Sequence, residues 1–224
     1  MIPNLILSTT AINMRYETEA ARLKRCVGDT LQTFKTSSNQ YVKQSNDPLI
    51  DGLYHKTNFA NYIEGDLSHP VLLMDADLFS LYENPLSTFE VNSNTDIAYV
   101  IYQGTYHYPD RLRQEAFAHF NYKVNSGFIY FKSLQLAREI CNEWREKYLE
   151  RSQINKFEYD ELALMYILKD KNLNIEQLPQ KWNNWYYNDK LNMMEPEYRK
   201  MTILANEENC IFYQSHDPIL YDVV

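Results

Sequence analysis

A short apolar run that ends in two aspartates constrains this sequence more than any other feature. Residues 70–75 read Pro-Val-Leu-Leu-Met-Asp, and a single alanine separates Asp75 from Asp77. Four consecutive apolar residues are typical of a buried strand, and alternate residues of an extended chain point the same way, so the two carboxylates converge. Burying two carboxylates without a cation is costly, and a hard divalent ion such as Mg²⁺ or Mn²⁺ removes that cost. The pattern therefore predicts a metal site at the end of a strand.

The rest of the chain alternates between strand and helix patterns. Apolar, β-branched and aromatic runs predict strands at 4–9, 70–75, 96–102, 127–131 and 210–216. Helical spacing predicts three helices: residues 15–34 with Asn13 as the N-cap, a helix after the cap Ser133, and a helix from Asp160. The first of these helices is inferred from apolar residues at helical spacing, namely Ala20, Leu23, Val27, Leu31 and Phe34.

Length and composition favour one domain. A chain of 224 residues that is 45% hydrophobic can bury one substantial core. We therefore predict a single α/β domain over residues 1–224, with a mixed central sheet flanked by helices. Residues 35–62 and 103–123 show no clear pattern and remain unassigned.

Charge and composition exclude several classes of function. A net charge of −8 argues against a nucleic-acid partner. The five glycines form neither the GxGxxG of a Rossmann site nor a P-loop. No apolar run approaches the roughly 20 residues of a membrane-spanning helix, and the N-terminus does not resemble a signal peptide. The three cysteines are widely spaced, as is typical of free thiols. We expect a soluble, cytoplasmic protein without a transmembrane segment.

Four segments together resemble glycosyltransferases of the GT-A fold, most closely the glycogenin-like group, family 8. Residues 70–90 resemble its apolar strand with the DxD motif, and "VNSGFIYFKS" (124–133) resembles its Asn-Ser-Gly strand beside the donor sugar. "YDELALMYIL" (159–168) resembles its Asp-Gln-opened helix, and "LPQKWNNW" (178–185) resembles its Leu-Pro-x-x-x-Asn turn. The segments follow the family's order. The resemblance implies a metal-dependent transferase that moves a sugar from a nucleotide-diphosphate donor, expected to be a UDP-sugar, to a glycan or glycoprotein acceptor.

Two departures from the family pattern affect the expected site. The helix opens with Asp160 and Glu161, where the family usually has Asp-Gln. The C-terminal His-x-x-Gly-x-x-Lys-Pro-Trp of the family is absent, and only "QSHDP" (214–218) stands there. The third metal ligand and the phosphate-binding lysine therefore have no direct counterpart in the pattern.

The resemblance implies that Asp75 and Asp77 hold Mn²⁺ or Mg²⁺, which neutralises the diphosphate as it leaves. His216 is the candidate third ligand, through a neutral imidazole, and its alternative is a surface histidine beside a turn. Thr9 and Thr10 stand where the family cups the nucleobase and ribose, although they are equally typical of a strand end.

Further residues are assigned to the two sugars. Lys56 would reach the donor, or else be an exposed lysine. Asn125 and Gly127 would line the donor sugar, because glycine allows a close approach and asparagine both donates and accepts hydrogen bonds; the alternative is a bulged strand entry. Asp160 would bind sugar hydroxyls or deprotonate the acceptor, with Glu161 as its competitor, although an acidic pair also stabilises a helix N-terminus. An aromatic cluster could stack an acceptor sugar or belong to the core: Trp182, Trp185, Tyr186 and Tyr187.

Two alternatives come from other classes. A haloacid-dehalogenase phosphatase would use Asp75 as nucleophile and Asp77 as acid, but that family wants Thr or Val where Phe79 stands, and no later paired aspartates follow. An inactive GT-A scaffold that binds carbohydrate would not need its DxD, Asn-Ser-Gly and acidic segments intact. The short chain is also compatible with a module of a longer protein. Small GT-A enzymes of this kind occur in bacteria and in large DNA viruses, and the glycine-poor composition fits such a source.

Overall fold

The computed structural model describes residues 2–102, 114–115, 119–120, 123–154, 159–184 and 211–214. The elements in chain order are β1 (Ile6–Ala11), α1 (Met14–Val27), β2 (Gln32–Lys35), α2 (Pro48–Thr57), β3 (Val71–Met74), β4 (Leu78–Phe79), β5 (Ile97–Tyr102), β6 (Lys123–Phe131), α3 (Leu134–Ile154), α4 (Asp160–Lys169), β7 (Ile175–Leu178) and β8 (Tyr213–Gln214). Short 3₁₀ turns cover Phe59–Asn61 and Gln180–Trp182. The predicted α/β fold with its mixed sheet is confirmed.

Six strands form the central sheet, in the order β2-β1-β3-β6-β5-β7. β6 runs antiparallel to both of its neighbours, whereas β1 pairs in parallel with β2 and β3, and β5 pairs in parallel with β7. The carboxyl ends of β1 and β3 therefore meet at one edge of the sheet, and the first half of β6 reaches the same edge. β4 and β8 form a separate antiparallel pair beside that edge. This topology gathers the ends of three neighbouring strands at one place.

Buried side chains cover both faces of the sheet. Leu73 and Ile129 belong to a cluster with α3 and α4, in which Trp144 is fully buried. Leu72 and Phe128 directly precede these two residues in their strands and belong to a cluster on the other face, with α1. Successive strand residues point to opposite faces, so the helices pack on both sides of the sheet.

The two predicted helix caps are present. The Asn13 carboxamide accepts a hydrogen bond from the Tyr16 N–H at 3.2 Å at the start of α1. The Ser133 hydroxyl accepts from the Leu136 N–H at 3.1 Å at the start of α3. Each satisfies a donor that the first turn of a helix leaves unpaired.

The predicted helix over 15–34 is too long. α1 ends at Val27 because Gly28 adopts a φ of 101°, a conformation that glycine tolerates and other residues rarely adopt. Leu31 and Phe34 keep helical spacing and are buried, but they lie beyond the helix, and Phe34 belongs to β2. Because both residues are apolar and buried, their spacing in the sequence looks like a continuation of the buried face of α1.

Three elements have no counterpart among the predicted ones, namely α2, β4 and β7, and β2 overlaps the end of the predicted helix 15–34. α2 lies in a segment without clear pattern; Asp47 caps it by accepting from the Leu49 N–H at 2.8 Å, and Pro48 occupies its first turn. β7 is a short edge strand in which only Leu178 is buried, so it lacks an apolar signature. Of the predicted strand 210–216, the structure describes 211–214 and places β8 there. No helix in the described residues is long and apolar enough to cross a membrane.

Candidate active site

Asp75 and Asp77 lie where β3 leaves the sheet. The Asp75 N–H donates to the Gly127 carbonyl at 2.8 Å, which continues the pairing of β3 with β6 by one residue. The side chain of Asp75 is 19% exposed, and Asp77 is buried. Both carboxylates reach one atom, Nε2 of Gln214, which lies 3.2 Å from Asp75 Oδ2 and 3.0 Å from each oxygen of Asp77. The two side chains therefore converge.

Lys56, in the last turn of α2, connects this pair to the start of α4. Its ammonium nitrogen lies 2.8 Å from Asp75 Oδ1 and 3.3 Å from Asp160 Oδ2, and it donates to the Ser126 hydroxyl at 2.9 Å. Burial disfavours the charged ammonium, but the carboxylates of Asp160, Asp75 and Glu161 outweigh burial and raise the pKa of Lys56. Lys56 is therefore a buried cation between two carboxylates rather than an exposed lysine.

The carboxyl of Asp75 has a raised pKa. Its pKa is raised to about 6, and burial is the largest cause; Lys56 opposes the rise, and the neighbouring charges of Asp77 and Asp160 add to it. The proton is thus held more tightly than by an ordinary aspartate. A cation bound beside Asp77 would relieve the same unfavourable charge density.

Gly127 lies directly against the carboxylate of Asp75. A Cβ built at Gly127 would lie 2.6 Å from Asp75 Oδ2 and 2.5 Å from Asn183 Nδ2, so no larger residue fits without movement. The glycine was expected to make room for a donor sugar. In the described structure it makes room for Asp75 and Asn183.

Asn125 and Asn183 form a buried amide pair above this glycine. Asn125 Oδ1 accepts from the Gly127 N–H at 2.8 Å and from Asn183 Nδ2 at 2.9 Å. In the described part of the chain, the remaining atoms, Asn125 Nδ2 and Asn183 Oδ1, are buried without a hydrogen-bond partner. Unpaired buried polar atoms are costly. The pair thus keeps one amide nitrogen and one amide oxygen whose hydrogen-bonding capacity is not used within the described residues.

Asp160 and Glu161 open α4 and are both buried. The indole N–H of Trp144 donates to the Asp160 carbonyl at 2.7 Å and fixes the start of the helix. Negative charge is favourable at a helix N-terminus, and Lys56 adds a direct ionic partner for Asp160. The structure therefore brings Asp160 next to Asp75 through one lysine.

Thr9 and Thr10 are placed at the same edge. They follow Ser8, the last residue of β1 that pairs with β3, opposite Leu73. Their hydroxyl oxygens are buried and, within the described residues, have no hydrogen-bond partner. They lie at the same edge as the carboxylates.

His216 and most of the aromatic cluster are not described by the structure, whereas Trp182 is. His216, Trp185, Tyr186 and Tyr187 lie outside the described residues. Trp182 is 3% exposed and packs against Phe128, with ring centroids 5.7 Å apart, and against Phe89 at 5.0 Å. Of the two interpretations that the sequence allowed for Trp182, the structure therefore supports the core and not the acceptor platform.

Three residues of the site were not singled out from the sequence. Asn183 belongs to the Leu-Pro-x-x-x-Asn turn, whose asparagine could have been assigned a role. Arg22 is fully buried; its guanidinium donates to the Asp77 carbonyl at 3.2 Å and lies 4.7 Å from the ring centroid of Phe79. An arginine on the apolar face of α1 was the available signal. Gln214 had no local signal.

The residues at this edge suit a hard cation. The described residues contain no group of three His, Cys, Asp or Glu side chains that could hold a metal ion. Asp75 and Asp77 nevertheless supply converging carboxylate oxygens, and Gln214 places an amide against them. Oxygen donors of this kind are what Mg²⁺ and Mn²⁺ prefer.

The chain shares a sequence family and a fold with known proteins. Residues 55–209 match the family described as nucleotide-diphospho-sugar transferase. No curated protein matches the chain. The chain is similar to a glycosyltransferase involved in the glycosylation of the major capsid of PBCV-1, with a TM-score of 0.59, 14% identity and 96% of each chain covered.

Two further solved structures share the fold. The galactosyltransferase LgtC, solved with donor and acceptor sugar analogs, has a TM-score of 0.55 and 13% identity over 95% of this chain and 87% of LgtC. The bifunctional glycosyltransferase WbbM has a TM-score of 0.53 and 11% identity over 96% of this chain and 46% of WbbM. At such identities the likeness concerns the fold alone.

Proposed function

Because the chain belongs to the nucleotide-diphospho-sugar transferase family, we propose that it transfers a sugar from a UDP-sugar to a glycan or glycoprotein with the help of a divalent cation. The observation that carries the proposal is the meeting of Asp75, Asp77, Lys56 and Asp160 at one sheet edge, beside a buried amide pair. Ligands of open α/β sheets bind beyond the carboxyl ends of the strands, where these residues lie.

Asp75 and Asp77 are the proposed protein ligands of Mn²⁺ or Mg²⁺. When bound, the ion supplies a positive charge for the diphosphate that leaves with the nucleotide. The role of the chain is to hold two carboxylates together that would otherwise repel each other. Lys56 and the buried Arg22 support this arrangement, the first at a carboxylate oxygen and the second at the backbone carbonyl of Asp77.

The amide pair is the proposed contact to the donor sugar. Asn125 Nδ2 can donate to a hydroxyl and Asn183 Oδ1 can accept from one, so together they would recognise two hydroxyl functions of a sugar. A site that hydrogen-bonds a hydroxyl rejects analogues without it, because its buried polar groups are then left unpaired.

Asp160 and Glu161 are the proposed acidic residues for sugar and acceptor. The Lys56 ammonium lies 3.3 Å from Asp160 Oδ2 and holds this carboxylate beside Asp75, which favours a role in holding donor hydroxyls. Glu161 is the alternative base for the acceptor hydroxyl, a step that typically contributes about 10²–10⁴-fold in rate. Thr9 and Thr10 remain proposed contacts to the nucleoside because their buried hydroxyls lie at the same edge.

A thermal-shift series with nucleotide sugars tests the proposed donor. A ligand present at about 100 times its Kd stabilises the folded state by about 2.7 kcal/mol, which corresponds to roughly 5–11 °C for a chain of this size. We expect a UDP-sugar with Mn²⁺ to raise the melting temperature more than UDP with Mn²⁺. Asn125→Ala should reduce the difference between these two ligands, because it removes a contact to the sugar alone.

Two outcomes would contradict the proposal. The absence of a shift with every nucleotide sugar, in the presence of Mn²⁺ and of Mg²⁺, argues for a scaffold without a donor site. A shift with phosphate esters of small molecules, but not with nucleotides, favours the phosphatase alternative, which the family match speaks against.

A further inference from the structure

Gln214 is held against the two aspartates by a buried strand pair. β8 pairs antiparallel with β4, which begins directly after Asp77, and Gln214 lies opposite Leu78. The preceding residue, Tyr213, is buried and packs edge to face on Phe79, with ring centroids 5.1 Å apart. Gln214 itself is 5% exposed. The direction of its side chain is therefore set by the backbone pairing.

The amide of Gln214 lies among carboxylate oxygens. Its nitrogen is 3.2 Å from Asp75 Oδ2 and 3.0 Å from both Oδ1 and Oδ2 of Asp77. An amide nitrogen carries two hydrogens, so it cannot give each of three oxygens a full hydrogen bond. A point surrounded by three carboxylate oxygens is favourable for a cation. The positive end of the amide dipole lies at that point.

The same side chain can present its oxygen to a cation. The amide oxygen and nitrogen exchange places when the terminal torsion turns by about half a revolution, and this torsion is soft. A neutral amide oxygen beside two carboxylates completes a set of hard ligands without adding a third negative charge.

On the basis of the proposed function, we propose that Gln214 is the third protein ligand of the cation held by Asp75 and Asp77. Without the cation, the amide nitrogen bridges the carboxylates; with the cation, the amide oxygen coordinates it. This assignment is an alternative to the sequence-based expectation for His216, because Gln214, within the described residues 211–214, reaches both carboxylates.

Direct binding of Mn²⁺ tests the assignment without any measurement of turnover. Free Mn²⁺ is counted by electron paramagnetic resonance during titration of the whole protein, with Mn²⁺ alone and with Mn²⁺ plus UDP. Gln214→Leu should raise the Kd for Mn²⁺ by at least about tenfold, since removal of even an outer partner of a metal ligand costs about 10–100-fold. Gln214→Glu, which keeps an oxygen donor, should bind Mn²⁺ at least as tightly as the wild type.

Exchange for histidine gives a readout that a purely structural role would not change. Imidazole favours Zn²⁺ and Ni²⁺ over Mn²⁺. Gln214→His should therefore change the ratio of Kd values for Zn²⁺ and Mn²⁺ by at least about tenfold in favour of Zn²⁺. Gln177→Leu, at an exposed strand glutamine in β7, is the matched control and should leave both values unchanged. Melting curves of all variants establish that folded protein is being compared.

The outcomes separate the ligand assignment from the proposed function. An unchanged Mn²⁺ affinity in folded Gln214→Leu overturns the assignment, and a loss of affinity in His216→Ala would then identify the histidine as the ligand. A wild-type protein that binds no Mn²⁺, alone or with UDP, overturns both the assignment and the metal in the proposed function. If Gln214→Leu binds Mn²⁺ more weakly and the wild-type protein transfers no sugar, the ligand assignment is supported and the proposed function is refuted.

Discussion

Replacement of Gly127 by alanine tests the packing that holds the candidate site together. The new Cβ would lie 2.6 Å from Asp75 Oδ2 and 2.5 Å from Asn183 Nδ2, where ordinary contacts begin at 3.4 Å. Both side chains must therefore retreat by about 0.8–0.9 Å, the difference between these distances. Overpacking of this kind costs about 1–3 kcal/mol of folding free energy, or roughly 2–12 °C in melting temperature for this chain length.

The larger expected effect of Gly127→Ala is on function. Misplacement of a catalytic group by about 1 Å can cost about 10²-fold in rate, and Asp75 is displaced by nearly that distance. We expect sugar transfer to fall by about 10²-fold and Mn²⁺ affinity to fall with it, as measured by product formation and by titration. Gly52→Ala is the matched control, because a Cβ at Gly52, within α2, meets no atom within 4 Å. That variant should be slightly more stable than the wild type. Wild-type activity and metal affinity in folded Gly127→Ala would refute the packing argument.

Three further predictions concern the surroundings of the site. Arg22→Met should lower the free energy of unfolding by about 1–3 kcal/mol in urea titrations, because it leaves the buried carbonyl of Asp77 without this donor; an unchanged value would contradict the role of the guanidinium. The pKa of Asp75 is raised to about 6, so the metal-free folded protein takes up a proton on this group that the unfolded chain does not bind until about pH 4. The ionised Asp75 therefore lowers the free energy of unfolding of the metal-free protein most above pH 6, and this effect disappears as the pH falls toward 4. The difference in free energy of unfolding between the wild type and Asp75→Asn should accordingly shrink from pH 6 to pH 4, and a pH-independent difference would contradict the raised pKa. Finally, Asp160→Asn and Glu161→Gln should separate the two acidic roles: the variant of the base loses at least about 10²-fold in transfer with little change in donor affinity, and near-wild-type transfer in both variants would remove α4 from the mechanism.

Much of the site could be anticipated from local sequence. Asp75 and Asp77 can be recognised from the local sequence, because an apolar strand that ends in alternate carboxylates has few structural uses. Asn125, Gly127 and Asp160 each stand in a segment with a recognisable pattern, and the topology brings their elements to the edge where β3 ends. The reason for Gly127 was not visible, because the atoms that crowd it come from Asp75 and Asn183, far away in the chain.

Long-range pairing accounts for the residues that were missed. Gln214 follows Asp77 by 137 residues, and only the pairing of β4 with β8 makes them neighbours. Arg22 meets the Asp77 carbonyl over a separation of 55 residues. Neither contact has a periodic pattern. Trp182 could not be assigned from the sequence for a related reason: a run rich in aromatic residues is compatible with a surface platform and with a core, and only the packing on Phe128 decides for the core.

Local patterns also misled where burial came from more than one element. Leu31 and Phe34 continue the spacing of α1, but Gly28 ends the helix. Leu31 lies in the segment after the helix and Phe34 lies in β2, and both side chains are buried. The conformational freedom of glycine was the stronger signal there. α2 was not recognised, although Ile50, Leu53 and Tyr54 stand at helical spacing and pack against the core. Asp47 followed by Pro48 is also typical of a helix start.

The release of UDP from UDP-sugars by the purified protein tests most directly whether Asp75 and Asp77 hold a metal that the reaction needs. We expect release in the presence of Mn²⁺ or Mg²⁺ and loss of release with EDTA. Asp77→Asn should also lose release while its melting profile stays unchanged, since this variant removes one of two repelling carboxylates. Release that continues undiminished in EDTA and in Asp77→Asn would contradict a metal held by Asp75 and Asp77.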